Sequence, residues 1–245
     1  MNKKARLEFP FGQVMPPWDI VIELSSIIDT DKWILVGGLM VQAHAMIAEL
    51  QSRATVDVDL MIDVLADTDN ITYVVDKLKN RDFQLVESGL PGAPIHRLLR
   101  KDQSIDILIA EHLPSRKHAA AKIGRFPLME TVGGAQAIDR KTEIELIAPE
   151  GVFTFFMPDV LGALVLKSAA YGADNRNKGR HLDDVALLSS LVTDVSKELS
   201  RLHGSDKRRI RSALRALGDL NHSAWLNLPE ANRARGQDVL RILSS

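Results

Sequence analysis

WILVGGLMVQAHAM, residues 33–46, begins as a short apolar run, halts at two glycines and resumes with helical spacing. An apolar run of this length bounded by glycine predicts a buried strand, and the residues after Gly37-Gly38 predict a helix. A strand that feeds a helix in this way presents bare backbone N–H groups, with the positive end of the helix behind them, to an anion. Alone, the glycine pair reads first as a tight turn. A larger role for it depends on the next strand signal in the chain.

That signal is VDVDLMID, residues 56–63. Strand alternation puts Val56, Val58 and Leu60 on one face and Asp57 and Asp59 on the other, the two aspartates about 7 Å apart along the backbone. A solvated strand face would explain an Asp-x-Asp, but aspartate is a poor strand former and two in one short strand need a reason. Carboxylates held this close repel unless a cation lies between them, and Mg²⁺ is the hard cation that prefers such ligands together with phosphate oxygens. SIDILIA, residues 104–110, repeats the pattern once with Asp106. If its strand lies beside the first, Asp57, Asp59 and Asp106 form a triad able to hold two metal ions about 4 Å apart, the arrangement that supports in-line displacement at phosphorus.

Around this centre the 245-residue chain is 45% hydrophobic and 26% charged, enough to bury a sizeable core. It has no cysteine, which excludes disulfides, thiol nucleophiles and thiolate metal sites and agrees with a reducing, cytoplasmic setting. The opening MNKKARLEFPFGQVMPPW has no signal-length apolar run, and FTFFMPDVLGALVLK is broken by Pro158 and Asp159, so neither export nor membrane insertion is expected. A net charge of −1 provides no general attraction to nucleic acid. The seven histidines show no HExxH-type spacing, which argues against a histidine zinc site, and His44 reads as a half-buried polar residue.

From Trp33 to about Phe156, strand and helix signals alternate. WILV, TVDVDLMID, FQLVES, HRLLRK, SIDILIA, TEIELIA and GVFTFF are the expected strands, with GLMVQAHAMIAEL and residues 67–80 as helices. After Pro158 the signals are helical, with starts at Pro158, Ser205-Asp206 and Pro229. The predicted fold class is therefore α/β (α+β), with an α/β domain over 1–156 and a helical domain over 157–245.

The order of a glycine pair, a helix, Asp-x-Asp on a strand and a lone Asp on a later strand resembles the nucleotidyltransferases of the DNA polymerase β superfamily. Within it, the AbiEii/AbiGii toxin-like branch is more similar. The likeness runs from Trp33 to about Ser190 and includes the lysine of LVLKSAAYGA and the cluster NRNKGRHLDDVALL. It implies a mixed sheet flanked by helices, followed by a helical domain that completes a nucleotide cleft. It implies Mg²⁺-dependent transfer of a nucleoside monophosphate from ATP or another NTP to a hydroxyl of RNA such as tRNA, of a protein or of a small molecule, with release of pyrophosphate. A toxin role in a toxin–antitoxin or phage-defence system, with an antitoxin partner, is implied in the same way.

By residue, the resemblance implies that Gly37 and Gly38 hold phosphates and that Asp57, Asp59 and Asp106 bind two Mg²⁺ ions. Asp106 would also help deprotonate the acceptor, and Lys167, Arg180 and Asp184 would line the nucleotide side. The chain departs from the pattern at Gly38, where many members have serine, in the longer stretch AMIAELQSR, and at His181, which replaces an expected acid. Gly38→Ser is accordingly expected to be tolerated.

Each helical candidate also has a plain structural reading. Lys167 can lay its stem on the core with its head in water, and Arg180 with Asp184 can be a helix-surface ion pair. The basic concentration of Lys197, Arg201, Lys207, Arg208, Arg209, Arg211 and Arg215 lacks interleaved aromatics, yet it would suit an anionic acceptor if it bordered the cleft. The rival function is a nucleotide-binding sensor or partner-binding module that has lost turnover, which Gly38 and His181 favour. A sugar transferase built on Asp-x-Asp needs more chain ahead of the acidic pair.

Overall fold

The computed structural model describes residues 5–9, 12–87, 93–175 and 177–245. In chain order the strands are β1 Ala5–Glu8, β2 Trp33–Val36, β3 Asp57–Ile62, β4 Gln84–Leu85, β5 Arg97–Arg100, β6 Gln103–Ala110, β7 Lys122–Ile123, β8 Phe126–Pro127, β9 Met129–Thr131, β10 Lys141–Ala148 and β11 Gly151–Pro158. The helices are α1 Trp18–Ile27, α2 Gly37–Ile47, α3 Asp69–Lys79, α4 Ser115–Ala120, α5 Gly134–Asp139, α6 Val160–Ala173, α7 Lys178–Ser190, α8 Val195–Ser200, α9 Asp206–Ala216, α10 Ser223–Leu226 and α11 Glu230–Ser244. The mixed α/β fold followed by helices is the expected class.

The larger sheet has the order β2-β3-β6-β5-β4, with β9 also on β6. β2 runs antiparallel to β3, and β3 parallel to β6. β6 changes neighbour along its length: β5 pairs antiparallel with Gln103–Asp106, and β9 pairs parallel with Leu108–Ala110. Val58 and Leu60 are fully buried, as alternation demands, but Val56 precedes the strand and is 75% exposed. Met61, on the aspartate face, is buried as well, so only the first half of that face opens outward.

β1, β10 and β11 form a second sheet, whose β10–β11 hairpin pairs Lys141 with Pro158 through to Ala148 with Gly151. TEIELIA and GVFTFF therefore form strands as expected but not in the sheet that carries the aspartates. Trp33 of β2 stacks on Phe155 of β11 with ring centroids 6.3 Å apart, and Trp18 and Phe9 extend the cluster. Asp159 caps α6 by accepting from the Gly162 N–H at 2.9 Å, so the helix begins just after Pro158. One buried core runs from Leu7 to Leu243 and spans both the α/β and the helical segments.

β1, α1, α4, α5, β7–β9, α8 and α10 are not expected from the sequence pattern. Only Gln84–Leu85 of FQLVES is strand, and its Ser88 lies outside the described residues, as does Arg176 of NRNKGRHLDDVALL. Among the described residues no helix is long and apolar enough to cross a membrane.

Candidate active site

The carboxylates are brought together by register. Across the β3–β6 ladder Asp59 sits opposite Asp106 and Asp57 opposite Ser104; across β6–β5, Asp106 sits opposite Arg97. Paired residues in a sheet share a face, so Asp59, Asp106 and Arg97 stand side by side on three adjacent strands. Asp57, Asp59 and Asp106 line one cleft of about 980 Å³, together with Gly37, Gly38, Arg53, His96, Arg97, Lys167, Arg180 and His181.

Gly37 adopts φ +70°, and a Cβ there would lie 1.7 Å from Oδ2 of Asp59. The glycine is thus demanded twice, by the left-handed backbone and by the carboxylate pressed against it. The Gly38 N–H favours the charged form of the Asp59 carboxylate. A Cβ at Gly38 would lie 2.6 Å from Oγ1 and 2.9 Å from Cβ of Thr55. The expectation that Gly38→Ser is accommodated freely therefore meets an obstacle: serine fits only if Thr55 moves.

The carboxylates differ in their surroundings. Burial pushes the Asp59 carboxyl up to about 6, and the neighbouring Asp106 and Asp57 add to the rise against the opposing pull of Lys167 and the Gly38 N–H. Asp57 accepts from the Ser104 hydroxyl. Asp106 is forked by Arg97, whose Nε donates to Oδ1 and Nη2 to Oδ2, each at 2.8 Å. The same guanidinium comes to 3.7 Å from Oδ2 of Asp57, and His96 Nε2 lies 4.0 Å from Oδ2 of Asp106. Among the described residues no three His, Asp or Glu side chains gather as a ready metal cage.

The same cleft also carries cations. Lys167 does not reach for water: its side chain is 5% exposed and its Nζ lies 2.8 Å from Oδ2 of Asp184. Arg53 donates to the same carboxylate, Nε to Oδ1 at 3.0 Å and Nη2 to Oδ2 at 3.2 Å. Burial alone would push the Asp184 carboxyl up, but Lys167 and Arg53 outweigh it and hold it below its usual value. Asp184 is itself buried behind these two cations and is not part of the cleft lining.

Arg180 does not pair with Asp184. It is exposed and donates to Asp174 at 3.3 Å. His181 Nε2 also lies 3.1 Å from Asp174. Burial, with the charge of Lys167, holds the His181 imidazole below its usual value, favouring the neutral ring. His44 is buried, with Nε2 2.9 Å from the Pro158 carbonyl, and burial lowers its pKa to about 4.

The basic concentration lies elsewhere. Arg201 pairs with Asp159 and Glu198, Arg209 with Glu111, and Arg211 and Lys207 donate to carbonyls at the end of α11. None of these residues lines the cleft. The residues that sequence reasoning missed are Arg53, Thr55, Arg97 and Ser104. Ser104 shares the parity of Asp106 on β6, so alternation was a usable signal for it, whereas Arg53 and Thr55 precede β3 in a segment without regular structure. Arg97 required the β5–β6 register.

No family model and no curated protein matches this chain. Among solved structures it is similar to the crystal structure of an antigenic nucleotidyltransferase-like protein from Paracoccidioides brasiliensis. The two share 18% identity over 84% of this chain and 90% of that one, with a TM-score of 0.48.

Proposed function

We propose that this protein is a metal-dependent nucleotidyltransferase that moves a nucleoside monophosphate from an NTP to an acceptor hydroxyl. The observation that carries the reading is the pairing of Asp57, Asp59 and Asp106 on one sheet face with the Gly37-Gly38 helix start and the Arg53–Asp184–Lys167 cluster across one cleft. Carboxylates favour a hard cation, and the cationic side chains of the cleft favour the phosphates that such a cation accompanies.

The donor chemistry fits Mg²⁺. Asp59 is raised partly by its two neighbouring carboxylates, a conflict that a divalent ion removes. Asp57 and Asp59 would hold it, with Asp106 alongside. When bound, it would supply charge neutralisation at the α-phosphate and the departing pyrophosphate.

The chain's own residues do the rest. The amino end of α2 stands beside Asp59, whose carboxylate fills the space a Cβ at Gly37 would take, so the helix start would meet phosphate oxygens together with the cation that Asp59 holds. Arg53 and Lys167 neutralise the triphosphate, and Asp184, buried behind both, fixes their heads before substrate arrives, so little ordering is needed on binding. The acceptor oxygen forms a bond to the α-phosphorus as the bond to pyrophosphate breaks, and its proton leaves toward Asp106 or solvent. Holding these groups in line is the larger part of such catalysis.

The acceptor class, whether RNA, protein or small molecule, and a toxin–antitoxin role extend this reading through the resemblance of the sequence alone. A nucleotide sensor without turnover is the second reading, favoured by the fork of Arg97 on Asp106.

Calorimetric titration with a triphosphate in Mg²⁺ and with its nucleoside tests the phosphate wall. Lys167→Met is expected to weaken triphosphate binding at least about tenfold and to leave nucleoside binding unchanged. Equal losses for both ligands in a folded variant would contradict it.

A further inference from the structure

We propose that Arg97 takes the place of a second metal ion, so that the cleft accepts one divalent cation, at Asp57 and Asp59, rather than two. This rests on the metal-dependent reading above and departs from the two-ion arrangement that the carboxylate pattern predicts.

Three observations carry it. The β5–β6 register fixes Arg97 beside Asp106, which stands beside Asp59, so the guanidinium belongs to the carboxylate row through the backbone ladder itself. Both Asp106 oxygens accept from it at 2.8 Å, the planar fork for which guanidinium and carboxylate are matched. The same Nη2 is 3.7 Å from Asp57 Oδ2, so one delocalised charge neutralises the pair of carboxylates that a bridging cation would share.

Asp59 is different. It lies on the far side of Asp106 from Arg97 in strand order, and the charge of Lys167 and, more weakly, the Gly38 N–H act on it. One divalent ion at Asp59 and Asp57 therefore complements the site. A second, beside Asp106, would have to displace the fork and sit against a fixed positive charge.

The test counts Mn²⁺ bound per chain, by the loss of the free-ion electron paramagnetic resonance signal, in the presence of a non-transferable α,β-imido triphosphate. Wild type is expected to bind one Mn²⁺. Arg97→Gln is expected to bind two, with the broadened spectrum of ions close enough to couple. Two ions in wild type, or one in a folded Arg97→Gln, would overturn the inference. If that variant fails to fold, the wild-type count alone decides. Asp59→Asn separates this from the underlying reading: it is expected to lose the ion. Unchanged Mn²⁺ binding in that variant would overturn the metal site at Asp57 and Asp59 as well, whereas a wild-type count of two lost on Asp59→Asn would overturn only the role of Arg97.

Discussion

Two arginine–aspartate pairs in this protein have the same chemistry and opposite surroundings. Arg140 and Asp206 join α5 to α9 with 2.7 Å between Nη2 and Oδ2, their side chains 5% and 0% exposed. Arg97 and Asp106 meet on the sheet face of the cleft, 40% and 11% exposed. A pair sealed from water resists the loss of one partner, because the other is left charged in a medium that cannot solvate it. A pair at the wall of a cleft can exchange partners with water, ions or substrate. The difference separates a charge that holds the fold from one available to chemistry.

The largest effect is expected at the cleft carboxylate without an arginine. Asp59→Asn should lower transfer at least about 10³-fold, because a neutral amide is a poor ligand for a hard cation. Its unfolding midpoint should stay level or rise, since one of three crowded carboxylates is gone. Lost activity together with lost stability would place Asp59 among the structural charges.

Next comes the sealed pair. Arg140→Met should cost about 3–5 kcal/mol in urea unfolding. The guanidinium also donates to Gln136 and to the Arg201 carbonyl, and these bonds would go with it. A cost below about 1 kcal/mol would erase the contrast between the pairs.

A smaller effect lies in pH. The Asp59 carboxyl is raised from 3.8 to about 6 in the folded chain, chiefly by burial, so between those values the folded state binds more protons than the unfolded one. Stability without metal should therefore fall as pH rises through that window, by about 2 kcal/mol at most, and divalent-ion affinity should climb over the same range. Asp59→Asn should remove this segment of the stability profile. A wild-type profile that rises between pH 4 and 6 and is unchanged by the substitution would contradict the assignment.

The smallest effect is expected at Arg97. Arg97→Gln should cost about 1 kcal/mol or less in stability, since Asp106 is left facing the cleft where water can reach it. A loss as large as that of Arg140→Met would make the cleft pair a structural one.

The elements that position the site were legible because their periodicity is strong. WILV matches β2, the Asp-x-Asp run gives β3, and SIDILIA gives β6. Alternation also placed each aspartate on the correct face of its strand. Pairing was not legible: β1 joins β10 across more than half the chain, and the β5–β6 register that sets Arg97 on Asp106 is a property of the folded sheet. Arg53 was hidden for another reason. It stands in a segment without regular structure, and its head is fixed by Asp184, far along the chain on α7. Short elements such as α5 and β9 have too few residues to show a period, and β9 is held through its neighbour β6.

Transfer of label from a triphosphate distinguishes a nucleotidyltransferase from a binding module. Wild-type protein would be incubated with Mg²⁺, each α-³²P-labelled triphosphate in turn, and total cellular RNA, protein and small-molecule extract. Label is expected to move from at least one triphosphate into one acceptor class, and Asp59→Asn to abolish the movement while still melting as a folded protein. Triphosphate binding by the wild type with no label transferred from any nucleotide to any acceptor would contradict nucleotidyl transfer and leave a binding module on the same fold.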